Sequence, residues 1–264
     1  MDDGVTLSIS QMDGAWRLMC ARSPGYVAEA SEGVQYIFSG VPVGFFNVAV
    51  LKGSGLSTAA LRTLGDEACA WAAAHSVPWL FVLTHERLAD GVEAVEALDG
   101  CGLAPVMPLT GMIAGSVGPD AAVAGLDLTV PEDDSACGAV IDINSIAYAM
   151  DLEPCKPVLG TRTFWQDQFA VVGIADGRPA SSATVLMVDG HRYVALVATD
   201  PGQQRRGFAD ATMRRALQNA AGVHGERPTV LHATEAGRPI YERMGYTTIA
   251  NHTLFMEKRF FDQH

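Results

Sequence analysis

The stretch Val197-Ala-Thr-Asp-Pro-Gly-Gln-Gln-Arg-Arg-Gly-Phe-Ala209 decides how this chain is read. It joins an apolar run, Tyr193–Thr199, to a helical pattern over about 208–221. In that pattern Met213, Ala216, Leu217 and Ala220 line one face and Gly222 closes the end. A loop entering a helix offers outward-pointing N–H groups and the positive end of the helix dipole. Both suit phosphate oxygens. Gly207 has no Cβ to block approach to the main chain, and Ala209 is small. Arg205, Arg206, Arg214 and Arg215 add positive charge around the same helix end. A glycine in a strand–helix loop also serves as a plain turn, so the pattern needs a second feature.

Working outward toward the N-terminus, the elements segment cleanly. Leu126–Val130 is a short apolar run. Acidic residues at 132–134 favour a helix start, and Val140, Ile143, Ile146, Ala147 and Met150 continue at helical spacing. Gln168–Ala175, Ala180–Val188 and Tyr193–Thr199 read as strands, with Asp176-Gly177 and Asp189-Gly190 between them. Two Asp-Gly turns joining three strands make an antiparallel meander. Toward the C-terminus, Thr229–Ala233 reads as a strand. Ala236, Ile240 and Met244 mark a short helix ended by Gly245. Tyr246–Ala250 and Thr253–Glu257 look like a final strand pair. That order is mixed α/β, not an alternating doubly wound one.

The second feature is Thr234-Glu-Ala-Gly-Arg-Pro-Ile-Tyr-Glu-Arg-Met-Gly-Tyr246. It places Tyr241 on a short helix directly after a strand. The residue reads either as an amphipathic core side chain or as a phenol delivered to a cleft as proton donor.

With both features in hand, residues 126–259 resemble a GNAT-type N-acetyltransferase domain. The family's loop has the form Gln/Arg-x-x-Gly-x-Gly/Ala, and Gln204–Ala209 (QRRGFA) matches it. The loop follows a strand ending Val-Ala-Thr-x-Pro. The later helix carries Tyr four residues before Gly-aromatic, as at Tyr241, Gly245 and Tyr246. The resemblance implies acetyl-CoA, or a related acyl-CoA, as donor. It implies that Gln204, Arg205, Arg206, Gly207, Phe208 and Ala209 cradle the pyrophosphate. Val197, Ala198 and Thr199 would line the pantetheine arm, and Tyr241 would protonate the departing thiolate. Thr234 stands where many members have Asn. The base that takes the amine proton is left open among His232, Asp151, Glu153 and His191, because Tyr193–Thr199 holds no carboxylate.

The first half carries an echo. Phe45–Leu51, an Ala-rich helix at about 56–74, Trp79–Leu83, a helix at about 91–100 and Val106–Ala114 repeat the order strand, helix, strand, helix, strand. Ser39-Gly-Val-Pro-Val-Gly-Phe-Phe-Asn47 looks like the opening of paired-domain members of the family. The loop after Leu51 reads Lys-Gly-Ser-Gly-Leu-Ser without the motif, and Leu98 stands at the place of Tyr241. The expected fold class is therefore α/β: two GNAT-like mixed α/β halves, each with a mainly antiparallel sheet. The expected domains are a degenerate one at 1–115 and an acetyltransferase domain at 126–264. The small, nearly uncharged segment 115–125 would link them. One working donor site is expected, in the second half. The sequence Gly53-x-Gly55 also mimics a dinucleotide fingerprint, but the third glycine is missing.

Composition narrows the partners. The chain has 264 residues, 48% hydrophobic and 18% charged, which excludes intrinsic disorder. Its formal net charge of −12 argues against nucleic acid and anionic membranes. Most of that charge lies before residue 131, where five basic residues face fourteen acidic ones. The second half is left more hospitable to one small anionic ligand. Five scattered cysteines read as reduced thiols in a cytoplasmic protein. The start, MDDG, has no secretory pattern, and no apolar run approaches a membrane span. Zinc spacings and a G-x-S-x-G elbow are absent, so no metal is expected. Trp71, Trp79 and Trp165 read as core or cleft-lining. The function expected is transfer of an acyl group, most simply acetyl, to a primary amine on a small molecule or peptide; a homodimer is compatible with this reading. The alternative is a non-catalytic acyl-CoA-binding sensor.

Overall fold

The computed structural model describes residues 2–119 and 122–263. Residues 120 and 121, inside the expected linker, lie outside the described residues. The chain packs as two compact units. One comprises Met1–Met112, Ala233–Arg238 and Thr248–His264; the other comprises Ile113–His232 and Pro239–Thr247.

The first unit opens with helix α1 (Asp2–Cys20) and the hairpin β1 (Val27–Ser31) and β2 (Val34–Phe38). Strand β3 (Asn47–Leu51), helix α2 (Thr58–Ala72), β4 (Leu80–Thr84), helix α3 (Ala94–Asp99) and β5 (Leu103–Ala114) follow. Strands β1, β2 and β3 pair antiparallel, and β3 pairs parallel with β4 at Val48↔Leu80. Ser57 caps α2, its side chain accepting from the amide of Ala60. Helix α1 was not anticipated, although its buried side chains recur at helical spacing: Val5, Ile9, Met12, Trp16 and Met19. Gly4 and Gly14 interrupt that pattern.

Asn47 holds the turn into β3. It is fully buried, and its Nδ2 donates to the carbonyls of Val41, Val43 and Pro78. Its Oδ1 accepts from the amides of Ser39 and Gly40. The segment from Val41 is therefore a pinned turn, and the strand expected from Phe45 begins only at Asn47.

The second unit begins with β6 (Asp127–Thr129) and helix α4 (Asp134–Tyr148), with Asp133 capping α4 through the amide of Ala136. Short helices α5 (Lys156–Leu159) and α6 (Arg162–Trp165) lead to β7 (Phe169–Ala175), β8 (Arg178–Val188) and β9 (His191–Thr199). Helix α7 (Phe208–His224), β10 (Thr229–Ala233) and helix α8 (Arg238–Arg243) complete the run. The sheet order is β10-β9-β8-β7-β6, antiparallel except for β10 beside β9. Both Asp-Gly turns form as expected. Asp176 and Gly177 have φ of 51° and 72°, and Asp189 and Gly190 have 44° and 77°, so each pair sits in the left-handed region that tight hairpins need.

One expectation is corrected. The end of the chain is a single strand, β11 (Thr247–Glu257), not a strand pair. Asn251 reads as a turn residue in sequence. Its amide and Nδ2 both donate to the Glu86 carboxylate, each at 2.9 Å to Oε1, which holds it extended. From His252 onward β11 runs antiparallel to β4 within the first unit. The mixed α/β class with mostly antiparallel pairing is as expected. No helix among the described residues is long and apolar enough to cross a membrane.

Candidate active site

The site is built from the C-terminal half of β9 and the loop behind it. Strand β10 pairs with β9 only over Thr229–Leu231, ending at Leu231↔Val194. Strand β9 continues alone on that side from Ala195 to Thr199. On its other side the register slips: Ser182 faces Ala198 and Thr184 faces Ala195, so Leu196 and Val197 together oppose Ala183. This is a β-bulge. Leu196 takes φ of 52°, a rare conformation for a side chain of its size. The Oγ1 of Thr199 is buried and accepts or donates no hydrogen bond among the described residues.

After β9, Asp200 accepts the amide of Gly202 at 2.7 Å and sets a tight turn. Arg205 and Gly207 both have positive φ, 62° and 82°. Helix α7 then begins at Phe208, whose ring is buried and anchors the helix start. Gly207 is the cap residue and no side chain caps the helix, so its first amides are left for another acceptor. A Cβ at Gly207 would meet no atom closer than 3.8 Å. The loop is thus open, and its glycine answers a backbone need. Residues Gln204 to Gly207 are exposed.

The arginines divide. Arg206 is hydrogen-bonded to Gln203 and lies over the Phe208 ring, 4.5 Å from its centroid. Arg214 is paired with Asp210 at 3.0 Å and donates to the carbonyl of Gly118. Its charge is therefore partly answered within α7, as i,i+4 spacing allows. Arg205 is exposed on the loop itself.

Tyr241 lies on α8, its ring edge-on to Tyr246 at 6.0 Å between centroids. Tyr246 is fixed by a 2.9 Å hydrogen bond between its hydroxyl and Thr229 Oγ1. Gly245, with φ of 92°, lets the amides of Met244 and Tyr246 return to the carbonyl of Tyr241 and close the helix. Burial pushes the Tyr241 phenol well above the ordinary tyrosine range, and the neighbouring Tyr148 and Tyr246 push it the same way. The phenol therefore stays protonated at neutral pH.

The candidate bases are placed differently. His191 starts β9, eight residues from Thr199, or about 26 Å along the strand. It lies at the hairpin end, away from the loop. Asp151 accepts the amide of Glu153, and Glu153 pairs with Lys156 at 2.7 Å. His232 Nδ1 is 2.8 Å from the hydroxyl of Tyr193.

Sequence reading missed Tyr148, the last residue of α4, whose hydroxyl donates to the carbonyl of Val197 at 3.2 Å. The corresponding loop of the first unit is closed. Leu56 packs over Gly53, where a Cβ would sit 2.9 Å from it, and its main chain pairs with Arg87 and Ala89. Thr234 lines a cleft of about 430 Å³ in the first unit with Met107, Pro108, Glu235 and Ala236. Among the described residues no group of three or more His, Cys, Asp or Glu side chains is placed to hold a metal.

Residues 159–262 match the family described as Acetyltransferase (GNAT) domain. No curated protein matches the chain. Among solved structures, a GCN5-related N-acetyltransferase from Kribbella flavida is similar, at 20% identity and TM-score 0.68, covering 97% of this chain and 95% of that one. A conserved protein of unknown function from Staphylococcus epidermidis follows at 13% identity and TM-score 0.63, covering 89% and 94%. A tandem GNAT protein from the clavulanic acid biosynthesis pathway matches at 12% identity and TM-score 0.53, covering 97% and 94%. Residues 159–262 thus match a GNAT acetyltransferase domain, on a chain whose fold is similar to that of GCN5-related N-acetyltransferases, a tandem GNAT protein among them.

Proposed function

We propose that this protein transfers an acetyl group from acetyl-CoA to a primary amine by direct attack. One observation carries the reading. The open loop Gln204–Ala209, with Gly207 at positive φ and an uncapped α7 start, lies behind a strand edge that β10 leaves unpaired. The loop amides and the α7 dipole suit a pyrophosphate. The main chain of Val197, Ala198 and Thr199 suits the amides of an extended pantetheine arm, and the partnerless Thr199 hydroxyl adds a contact there.

The chemistry then falls to few residues. The amine nitrogen bonds to the thioester carbonyl carbon and the carbon–sulfur bond breaks. Tyr241 gives its proton to the departing sulfur; a phenol held neutral by burial suits that task. The amine's surplus proton passes to water, because β9 carries no carboxylate and His191 lies at its far end, and solvent returns a proton to Tyr241 before the next turnover. The acceptor is a small-molecule or peptide amine, and the net charge of −12 favours a cationic one at long range.

The test combines calorimetry with acetyl-CoA and a thiol-release assay over a panel of amines. Saturable binding with amine-dependent CoA release is expected. No binding at millimolar acetyl-CoA would overturn the reading, whereas binding without turnover on any amine would favour an acyl-CoA sensor.

A further inference from the structure

The bulge on β9 is held by one face of one helix. The carbonyl of Leu196 accepts from Ser182 Oγ at 3.2 Å, and Ser182 Oγ accepts from Asn144 Nδ2 at 3.1 Å. The next carbonyl, Val197, accepts directly from the Tyr148 hydroxyl at 3.2 Å. Asn144 and Tyr148 are four residues apart on α4 and therefore share a face. Two successive carbonyls of the bulge are answered from that single turn.

Three features say that this is more than packing. Leu196 sits at φ of 52°, which a leucine adopts only when its surroundings impose it. Asn144, Ser182 and Thr184 are all buried, in a layer where apolar side chains would pack without cost. Asn144 Oδ1 and Thr184 Oγ1 even lack hydrogen-bond partners among the described residues. Burying such groups works against stability, so their presence here calls for another role. The strand they constrain is the one that the proposed function sets against the donor.

We propose that Asn144 and Tyr148 are positioning residues for acyl transfer. Asn144 acts through Ser182, Tyr148 directly, and together they lock the Leu196–Val197 bulge so that the main chain of Val197–Thr199 meets the donor in one fixed orientation. This rests on the reading under Proposed function. Tyr148 keeps room for the donor, because a carbonyl oxygen has two lone pairs and the phenol uses one.

The test compares wild type with Tyr148→Phe, Asn144→Ala and Ser182→Thr in three measurements. Hydrogen exchange of the segment 194–200 should quicken in Tyr148→Phe and Asn144→Ala, with α7 and β7 unchanged. The kcat for acetyl transfer should fall about 10-fold or more in both, since small misplacement of a reacting group is costly. Affinity for 3′-phospho-ADP, a probe that reaches only the phosphate loop, should stay within about two-fold. Ser182→Thr keeps the hydroxyl and should keep most of the kcat. Unchanged exchange and kcat in Tyr148→Phe would overturn the proposal. So would a parallel loss of 3′-phospho-ADP affinity, which would mark a general structural fault. If Asn144→Ala fails to fold, Tyr148→Phe still decides, because it preserves the ring of a half-exposed residue. If wild type neither binds 3′-phospho-ADP nor transfers acetyl, it is the proposed function that fails, while the exchange data separately report whether α4 holds the bulge.

Discussion

The hydroxyl of Tyr193 lies 2.8 Å from Nδ1 of His232. Tyr193 is 3% exposed, and burial pushes its phenol far above the ordinary range, so it remains protonated. Among the described residues its proton has one acceptor, the Nδ1 lone pair. A hydrogen bond given to Nδ1 leaves that nitrogen engaged with Tyr193, so it is not open to an incoming amine. His232→Gln should therefore lower kcat by less than about 10-fold, against the roughly 10²–10⁴ lost with a true general base. A drop of that larger size in steady-state assays would restore His232 as the base.

Tyr241→Phe should lower kcat about 10²-fold with the Kd for CoA changed less than about three-fold, because the phenol acts on a sulfur that becomes basic only during reaction. An acid works below its pKa, and here burial raises the pKa above the ordinary tyrosine value of 10.0. Wild-type kcat should accordingly show no falling limb from this group up to pH 10. Full turnover in Tyr241→Phe at saturating donor would remove the residue from the mechanism.

Gly207→Ala should spare the fold and damage donor binding. The new Cβ meets no atom within 3.4 Å, but φ of 82° is unfavourable for alanine by about 1–2 kcal/mol. Relief of that strain would tilt the loop amides away from a shared focus. Calorimetry should show CoA binding weakened about 10-fold with a melting temperature within a few degrees of wild type. Equal affinity would argue against the loop as phosphate cradle.

His252 makes stability depend on pH. It is 1% exposed between Ser8 Oγ, 2.9 Å from Nε2, and Thr84 Oγ1, 3.0 Å from Nδ1. Burial lowers its pKa from 6.5 to about 4. The unfolded chain thus binds a proton that the folded chain refuses between these values. Stability is unaffected by this group above pH 6.5 and falls as pH drops from 6.5 to 4, by roughly 3 kcal/mol in all. Urea unfolding of wild type and His252→Gln at pH 7.5 and 4.5 should show the wild type losing about 2–3 kcal/mol more than the variant. Parallel losses would refute this assignment.

Asn47→Ala should be among the most damaging single changes in the first unit. It strips hydrogen bonds from the carbonyls of Val41, Val43 and Pro78 and from the amides of Ser39 and Gly40 at once. A loss of about 3–5 kcal/mol is expected, or roughly 10 °C in melting temperature. A shift under about 3 °C by calorimetry would show that water replaces these contacts.

Much of the chain was legible because its signals are short-range. The two Asp-Gly turns announce left-handed pairs, and each pair formed. Helix α7 starts at Phe208 and β10 spans Thr229–Ala233, where apolar spacing and Gly207 put them. The loop Gln204–Ala209 and Tyr241 stood out for the same reason, as residue types at fixed offsets. Arg214 reads in sequence only as positive charge for the loop, whereas Asp210, four residues away on the same helix, takes part of that charge.

Other features were set by partners far away in sequence. Val-Ala-Leu-Val-Ala-Thr reads as an uninterrupted strand, and nothing in a leucine announces a left-handed backbone. At the bulge, Ser182 and Tyr148 answer the carbonyls of Leu196 and Val197, and Asn144 in turn holds Ser182. Asn251 reads as a turn, and Glu86 makes it strand. The last strand follows α8 in sequence yet lies along β4. The sequence by itself determined the β7–β9 meander, helix α7, strand β10, the loop Gln204–Ala209 and the candidate acid, since periodicity and turn chemistry act over a few residues. The tertiary structure decided which carbonyls are held, which histidine nitrogen is taken and where the final strand pairs. Those outcomes depend on hydrogen-bond partners that only folding brings within 3 Å or so.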